Sequence, residues 1–186
     1  MQIQFTRRFS MAHRLRADRS SKCATPHGHN EFVKVTLKAK SADTVKWGQS
    51  NYAQSFDLLK RDWHRFVDDA LDHAFQLGHD DPMIGFFKAH EPDLLPRLLV
   101  ISGDPTTEAV ALALYYKLNA ILRTHVPDFE CVRFEIEETP TNSVILTPDD
   151  LIGAPRLADW CHRADMSLND ILTPDQWAQP KGDTCT

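Results

Sequence analysis

The sequence is organised around the stretch Cys23-Ala24-Thr25-Pro26-His27-Gly28-His29-Asn30. Alternate residues of an extended strand point to the same side, so the spacing of His27 and His29 predicts two imidazoles on one face. Imidazole is the commonest metal ligand in proteins, and catalytic zinc sites use three protein ligands and keep a fourth position open. A His-x-His pair by itself is more often two surface histidines, so the metal assignment depends on the flanking sequence.

Two strands are predicted on either side of this stretch. Residues 2–13 alternate between apolar and polar, and His13 falls on the apolar face at the end of the run. Residues 27–40 alternate again and place His27 and His29 on their apolar face. If the two strands pair antiparallel, the end of the first lies beside the start of the second. The three histidines then converge, which predicts a three-histidine metal site.

Cys23 is a candidate catalytic thiolate. Pro26 opposes a continuous strand through the cysteine, so we place it on a loop. Neighbouring cations favour a thiolate, and the flanking segment contains Arg14, Arg16, Arg19 and Lys22. In the alternative reading, Cys23 is a fourth zinc ligand that closes the site as a structural one.

Two further candidates lie downstream. Asp72 and His73 follow a predicted helix. Such a pair is usually a capping aspartate beside a surface histidine, but it can also be a proton relay in which the carboxylate orients the histidine. Glu138 ends the apolar row of a predicted strand. It is either a charge that reaches water or an anchor for a ligand.

The predicted element order is strand, strand, helix, helix, strand, strand. The first helix covers 56–71, and the second begins at Asp104-Pro105-Thr106-Thr107-Glu108. The last two strands cover 129–138 and 141–146. Residues 78–104 surround one apolar run, Leu94 to Ile101, and we expect mostly loop there with a short helix or strand. One or two short helices are expected after residue 147.

The amino-acid composition limits the classes of protein to which the chain can belong. The chain has 186 residues, 42% hydrophobic and 25% charged, with a formal net charge of −5, which is typical of one soluble domain and argues against binding nucleic acid through phosphate neutralisation. No apolar run resembles a signal peptide or a transmembrane span. The four cysteines are scattered, which favours a reducing cytoplasm and metal or catalytic roles over disulfides.

Several pieces of the sequence occur together in one known family. The chain resembles the 6-pyruvoyltetrahydropterin synthase / 6-carboxytetrahydropterin synthase family, which has the tunnelling fold. The pieces that carry the resemblance are Phe9-Ser10-Met11-Ala12-His13, Cys23-x3-His27-Gly28-His29-Asn30, Leu71-Asp72-His73, Pro105-Thr106-Thr107-Glu108 and Glu138-Thr139. The resemblance implies an α+β domain over 1–146, with a four-stranded antiparallel sheet and two helices on one face. Residues 147–186 would be a helical extension packed on the same domain.

The resemblance also implies roles for individual residues. One zinc ion per chain would be bound by His13, His27 and His29. Catalysis would use Cys23 with Asp72 and His73. Glu138 would anchor the guanidine-like edge of a pterin, helped by Thr106 and Thr107. The family tends to form hexamers of two trimers with active sites between subunits, so a homo-oligomer is expected.

The implied reaction converts 7,8-dihydroneopterin triphosphate to 6-carboxytetrahydropterin with release of acetaldehyde and triphosphate, on the way to 7-deazaguanines and queuosine. The first alternative is 6-pyruvoyltetrahydropterin synthase. The second is a non-catalytic zinc-binding or pterin-binding module, against which Cys23, Asp72 and His73 argue, because a binder needs none of them. Residues 74–78 lack the Leu-Asn that is common in the family, which leaves the shape of the side-chain pocket open.

Overall fold

The computed structural model describes residues 1–17 and 21–178. Arg19, Cys185 and the end of the predicted extension lie outside these ranges. Within them the strands are β1 (Gln2–His13), β2 (His27–Ala39), β3 (Ala74–Gly78), β4 (Leu98–Ile101), β5 (Phe129–Thr139) and β6 (Asn142–Leu146). The helices are α1 (Ser21–Ala24), α2 (Phe56–Phe66), α3 (Pro82–His90), α4 (Thr107–His125) and α5 (Pro174–Ala178).

The strands form one mixed sheet of six, in the order β4-β3-β1-β2-β5-β6. The pairs β1/β2, β2/β5 and β5/β6 are antiparallel, whereas β3 is parallel to β1 and β4 is parallel to β3. The predicted four-stranded antiparallel sheet with the order ββααββ was therefore wrong. The two additional strands are short, parallel and almost completely buried, so they lack the alternation by which half-buried strands are recognised.

Helices α2 and α4 share one core with the sheet. Leu59, Trp63 and Phe66 of α2 are buried in the same cluster as Val33 and Val35 of β2. The predicted helix over 56–71 is α2 followed by a π-helical turn, Val67–Leu71. The segment 78–104, predicted to be mostly loop with a short helix or strand, contains α3, a 3-10 turn at Pro92–Arg97 and β4.

The segment after β6 contacts α4 and β4. Trp160 is fully buried, and its indole N–H donates to the carbonyl of Val100 at 2.8 Å. Asn169 donates to the carbonyls of Leu95 and Leu98 at 2.9 and 2.8 Å. Across 1–17 and 21–178, no helix has the length and apolar character needed to span a membrane.

Candidate metal centre and pocket

The antiparallel register of β1 and β2 places the three histidines together. His13 lies opposite His27, and Met11 lies opposite His29. The ligand atoms of the three rings all lie within 4.8 Å of one another. Gly28 is required between the two histidines of β2, because a Cβ at this position would overlap the carbonyl oxygen of Met11.

The hydrogen bonds of two of these rings define their tautomers. The Nδ1 atoms of His13 and His27 lie 3.1 Å and 2.9 Å from the carbonyl oxygens of Pro105 and Thr25. A carbonyl can only accept, so each Nδ1 donates and each Nε2 keeps its lone pair when the ring is neutral. Burial lowers the pKa of His13, which favours the neutral, metal-binding form.

The donor set fits a metal ion. The Nε2 atoms of His13 and His27 are 3.1 Å apart, and two lone pairs at that distance repel each other unless a cation lies between them. Tetrahedral zinc, with bonds of about 2.0–2.1 Å, separates neighbouring ligand nitrogens by about 3.3 Å. The arrangement therefore suits zinc with three protein ligands. Cys23 is not part of the group of ligand atoms within 4.8 Å.

A cavity of about 400 Å³ opens beside His13. Thr107 Oγ1 donates to the carboxylate of Glu138 at 2.5 Å, and both residues line the cavity. Thr106 also lines it and caps α4, where its side chain accepts from the backbone N–H of Ala109 at 3.4 Å. Sequence reasoning missed the rest of the lining, which consists of Leu15, Glu108, Asn142, Ser143 and Val144.

Asp72 and His73 form a pair that the backbone holds firmly. His73 Nδ1 lies 2.8 Å from one carboxylate oxygen of Asp72, and the other oxygen accepts from the Ser10 N–H at 2.7 Å. Arg97 donates to the Asp72 carbonyl, and His73 adopts a left-handed backbone conformation with φ of 63°. The His73 side chain is 75% exposed. In a single chain this pair lies outside the lining of the cavity.

Cys23 lies on the one-turn helix α1 and not on the predicted loop. Pro26 restricts Thr25 to extended backbone, which ends the turn just after the cysteine. Cys23 is a half-buried free thiol whose carbonyl accepts from the Leu15 N–H at 2.8 Å. The cations predicted around it are partly paired: Arg14 donates to Asp81 at 2.7 and 2.5 Å, and Arg16 lies 3.5 Å from Asp80.

Two buried polar residues near the histidines were not assigned a role from the sequence. Glu31 is 1% exposed, and burial, reinforced by the charge of Glu138, raises its pKa to about 8. Gln76 is fully buried and pairs with His13 across β1 and β3. No side-chain oxygen or nitrogen of either residue has a hydrogen-bond partner among the described residues. The sequence does contain a signal for Glu31, because it is a charged residue in the apolar row of β2. The burial of Gln76 could not be predicted, because strand β3 was not recognised.

Comparisons with known proteins agree on one family. A family model described as 6-pyruvoyl tetrahydropterin synthase matches residues 2–149. A Bacillus subtilis relative named 6-carboxy-5,6,7,8-tetrahydropterin synthase is 27% identical over 139 residues, which cover 75% of this chain and 80% of that protein. A Rickettsia bellii relative of the same name is 30% identical over 114 residues, covering 60% and 77%.

Solved structures agree with the fold. An uncharacterised Wolinella succinogenes protein, WS1659, is similar with a TM-score of 0.61 and 21% identity, covering 80% of this chain and 98% of that one. The 6-pyruvoyl tetrahydropterin synthase of Caenorhabditis elegans has a TM-score of 0.53 and 24% identity, covering 79% and 94%. At this level of identity the likeness shows the fold alone.

Proposed function

Because the chain belongs to the 6-pyruvoyl tetrahydropterin synthase family, we propose that it is a zinc-dependent enzyme acting on 7,8-dihydroneopterin triphosphate. Its product would be 6-carboxytetrahydropterin, with acetaldehyde and triphosphate released. The observation that carries the proposal is the group of three histidines beside a cavity that also contains Glu138. The names of the Bacillus subtilis and Rickettsia bellii relatives support the carboxy product.

The histidine end of the sheet would bind the reacting part of the substrate. His13, His27 and His29 would hold zinc. When bound, zinc acts as a Lewis acid and polarises the oxygens of the substrate's side chain. Pro105 and Thr25 fix two of the rings through their carbonyl groups, as supporting groups commonly do in metal sites.

Glu138 would hold the pterin ring. A carboxylate can accept two parallel hydrogen bonds from adjacent N–H groups, such as those of the guanidine-like edge. Thr107 donates to one of its oxygens at 2.5 Å and so fixes the orientation of the carboxylate. Thr106 would contribute by starting α4 beside the cavity.

Proton transfer would use Cys23 and the Asp72–His73 pair. Asp72 accepts from Nδ1 of His73, which orients the ring and leaves Nε2 free to exchange a proton. Because the pair lies outside the cavity of its own chain, we propose a homo-oligomer, a hexamer of two trimers, with active sites completed between subunits.

The remaining assignments belong to the same proposal. Residues 1–146 would form the catalytic domain, and residues 147–186 an extension packed on it. The enzyme would work in the cytoplasm, and its product would feed synthesis of 7-deazaguanines and queuosine.

The second candidate is 6-pyruvoyltetrahydropterin synthase, which the description of the matching family favours. The same residues would eliminate triphosphate and leave the side chain intact. Incubation of the zinc-loaded protein with dihydroneopterin triphosphate, followed by mass analysis, separates the candidates. We expect acetaldehyde and a carboxypterin. A pyruvoylpterin would favour the second candidate, and no turnover would reduce the protein to a zinc-binding or pterin-binding module.

A further inference from the structure

Glu31 is a buried carboxylate that has no hydrogen-bond partner among the described residues. It lies on β2, two residues after His29 and four after His27, so the three side chains point to the same face. It is 1% exposed, and neither carboxylate oxygen has a hydrogen-bond partner within the described part of the chain. Burial of an unpaired carboxylate opposes folding, so its presence requires an explanation.

The other buried charges of the described residues are compensated by protein groups. Asp81, 3% exposed, accepts from Arg14 and from the Met83 N–H. Lys117, fully buried, donates to Asp165 and to the Trp160 carbonyl. Among the described residues, Glu31 alone of these three has no such group, which leaves its carboxylate available to a ligand.

The surroundings of Glu31 indicate what kind of partner is missing. Phe32 pairs with Glu137 across β2 and β5, so Glu31 lies beside Glu138, whose charge acts on it. The lysine of this part of β2, Lys34, lies on the opposite face and donates to Glu135 and Glu137. Glu138 lines the cavity, and Glu31 lies next to it, outside the lining. Two neighbouring carboxylates with no cationic partner among the described residues offer acceptors for the N–H donors of a ligand held at Glu138.

We propose that Glu31 is a second substrate-binding carboxylate, which accepts an N–H of the pterin ring that Glu138 does not use. The inference rests on the proposed function. The 2-amino-4-oxopyrimidine edge of a pterin carries three N–H hydrogens, one on N3 and two on the amino group. A bidentate carboxylate takes two of them, one from each nitrogen. The second amino hydrogen then requires its own acceptor, and Glu31 provides one beside Glu138.

The test compares Glu31→Gln with Glu137→Gln by calorimetry on the zinc-loaded protein. The control makes the same chemical change one residue from Glu138, on the opposite face of the sheet. We expect Glu31→Met, which removes the acceptor, to weaken binding of a pterin by roughly 10- to 100-fold, as for a lost charge-assisted hydrogen bond. Glu31→Gln keeps one acceptor oxygen without the charge and should weaken binding less. Lumazine, in which oxygen replaces the 2-amino group, should bind wild type and Glu31→Gln almost equally. Zinc content should be unchanged.

A stability measurement separates binding from folding. Because the carboxylate is buried without a partner, Glu31→Gln and Glu31→Met should melt at the same temperature as wild type or higher, while both weaken pterin binding. The inference would be overturned if both variants bound pterin as tightly as wild type does. It would also be overturned if the variants lost as much affinity for lumazine as for pterin. Neither result would contradict the proposed function. Loss of zinc in Glu31→Gln would assign Glu31 to the metal site instead. A wild-type protein that binds no pterin would overturn both proposals.

Discussion

Two parts of the molecule contain buried polar groups, which differ in how completely they are paired. In the Lys117 cluster, the ammonium group of Lys117 donates to the Trp160 carbonyl, Asp165 and Ser167 at 3.2, 3.1 and 3.4 Å. All three of its hydrogens therefore have acceptors. At the histidine end of the sheet, Glu31 and Gln76 are equally buried, yet their four side-chain polar atoms have no partners among the described residues.

The difference distinguishes buried polar groups that stabilise the fold from buried polar groups that are available to bind a ligand. A buried network in which every group is paired holds two segments in a fixed arrangement, here α4 and the segment after β6. Buried groups without partners weaken the fold, and the missing bonds can be supplied by a ligand, an ion or an ordered water. Substitutions at the Lys117 cluster should therefore change stability, and substitutions at the histidine end should change metal or ligand binding.

The largest expected effect is at the histidines proposed to bind zinc. His27→Ala and His29→Ala should each lose zinc and all measurable turnover, because three protein ligands are the minimum of a catalytic zinc site. The fold should persist, since both residues lie at the start of β2 and are only half-buried. Elemental analysis with circular dichroism measures both effects. Full zinc retention in both variants would contradict the three-histidine assignment.

Cys23→Ala tests whether the zinc site proposed at the three histidines keeps a coordination position open for substrate. A catalytic thiolate predicts a severe loss of turnover with zinc and pterin binding retained. If Cys23 is instead a fourth zinc ligand, the substitution should also weaken zinc retention. The metal site would then have no open position for substrate, and all of its groups would be paired, as in the Lys117 cluster. Its sulfur lies outside the group of ligand atoms within 4.8 Å, so we expect zinc to stay. Full activity in this variant would remove the cysteine from the mechanism.

The sequence could predict the antiparallel half of this fold and not the parallel half. Alternation in β1 and β2 placed His13, His27 and His29 on one face, and the same pattern located β5 with Glu138. The pattern fails for β3 and β4, because strands buried on both faces have no polar side to mark them. The position of Gln76 beside His13 depends on β3. The pairing of Arg14 with Asp81 and of Lys117 with Asp165 is also beyond sequence patterns, since the partners are far apart in the chain.

Lys117→Ala should produce the largest loss of stability among these variants. The change removes three hydrogen bonds and leaves a cavity where the side-chain stem packed between Phe66 and Trp160, whose ring centroids lie 5.1 and 5.5 Å from the ammonium nitrogen. We expect a loss of about 3 kcal/mol in urea unfolding. Lys117→Met retains the stem and should lose less. Unchanged stability in the alanine variant would mean that the cluster does not hold the two segments.

Glu138→Gln should affect binding with little effect on the fold. The substitution replaces one acceptor oxygen with a donor and removes the charge, so pterin binding should weaken by about 1.5–3 kcal/mol. Zinc content should remain the same, because Glu138 does not belong to the group of candidate metal ligands. Calorimetry beside the control Glu137→Gln measures the difference. Equal pterin affinity in wild type and Glu138→Gln would remove this carboxylate from the binding site.

The smallest expected effect is a pH dependence of the Lys117 cluster. Burial lowers the pKa of Lys117 from 10.5 to about 8 in the folded protein. Because the unfolded chain holds this proton more tightly, the destabilisation is complete below pH 8 and is relieved as pH rises toward 10.5.

Wild type should therefore gain about 1 kcal/mol in its free energy of unfolding between pH 8 and pH 9, relative to Lys117→Met. The methionine variant is the reference because it cancels the titration of every other group, including the buried thiols of Cys131 and Cys161, whose pKa values burial raises. Urea unfolding of both proteins at the two pH values measures the difference. If the free energy of unfolding changed equally with pH in the two proteins, the three acceptors around the ammonium group would offset its burial completely. The difference in pairing between Lys117 and Glu31 would then be larger than proposed.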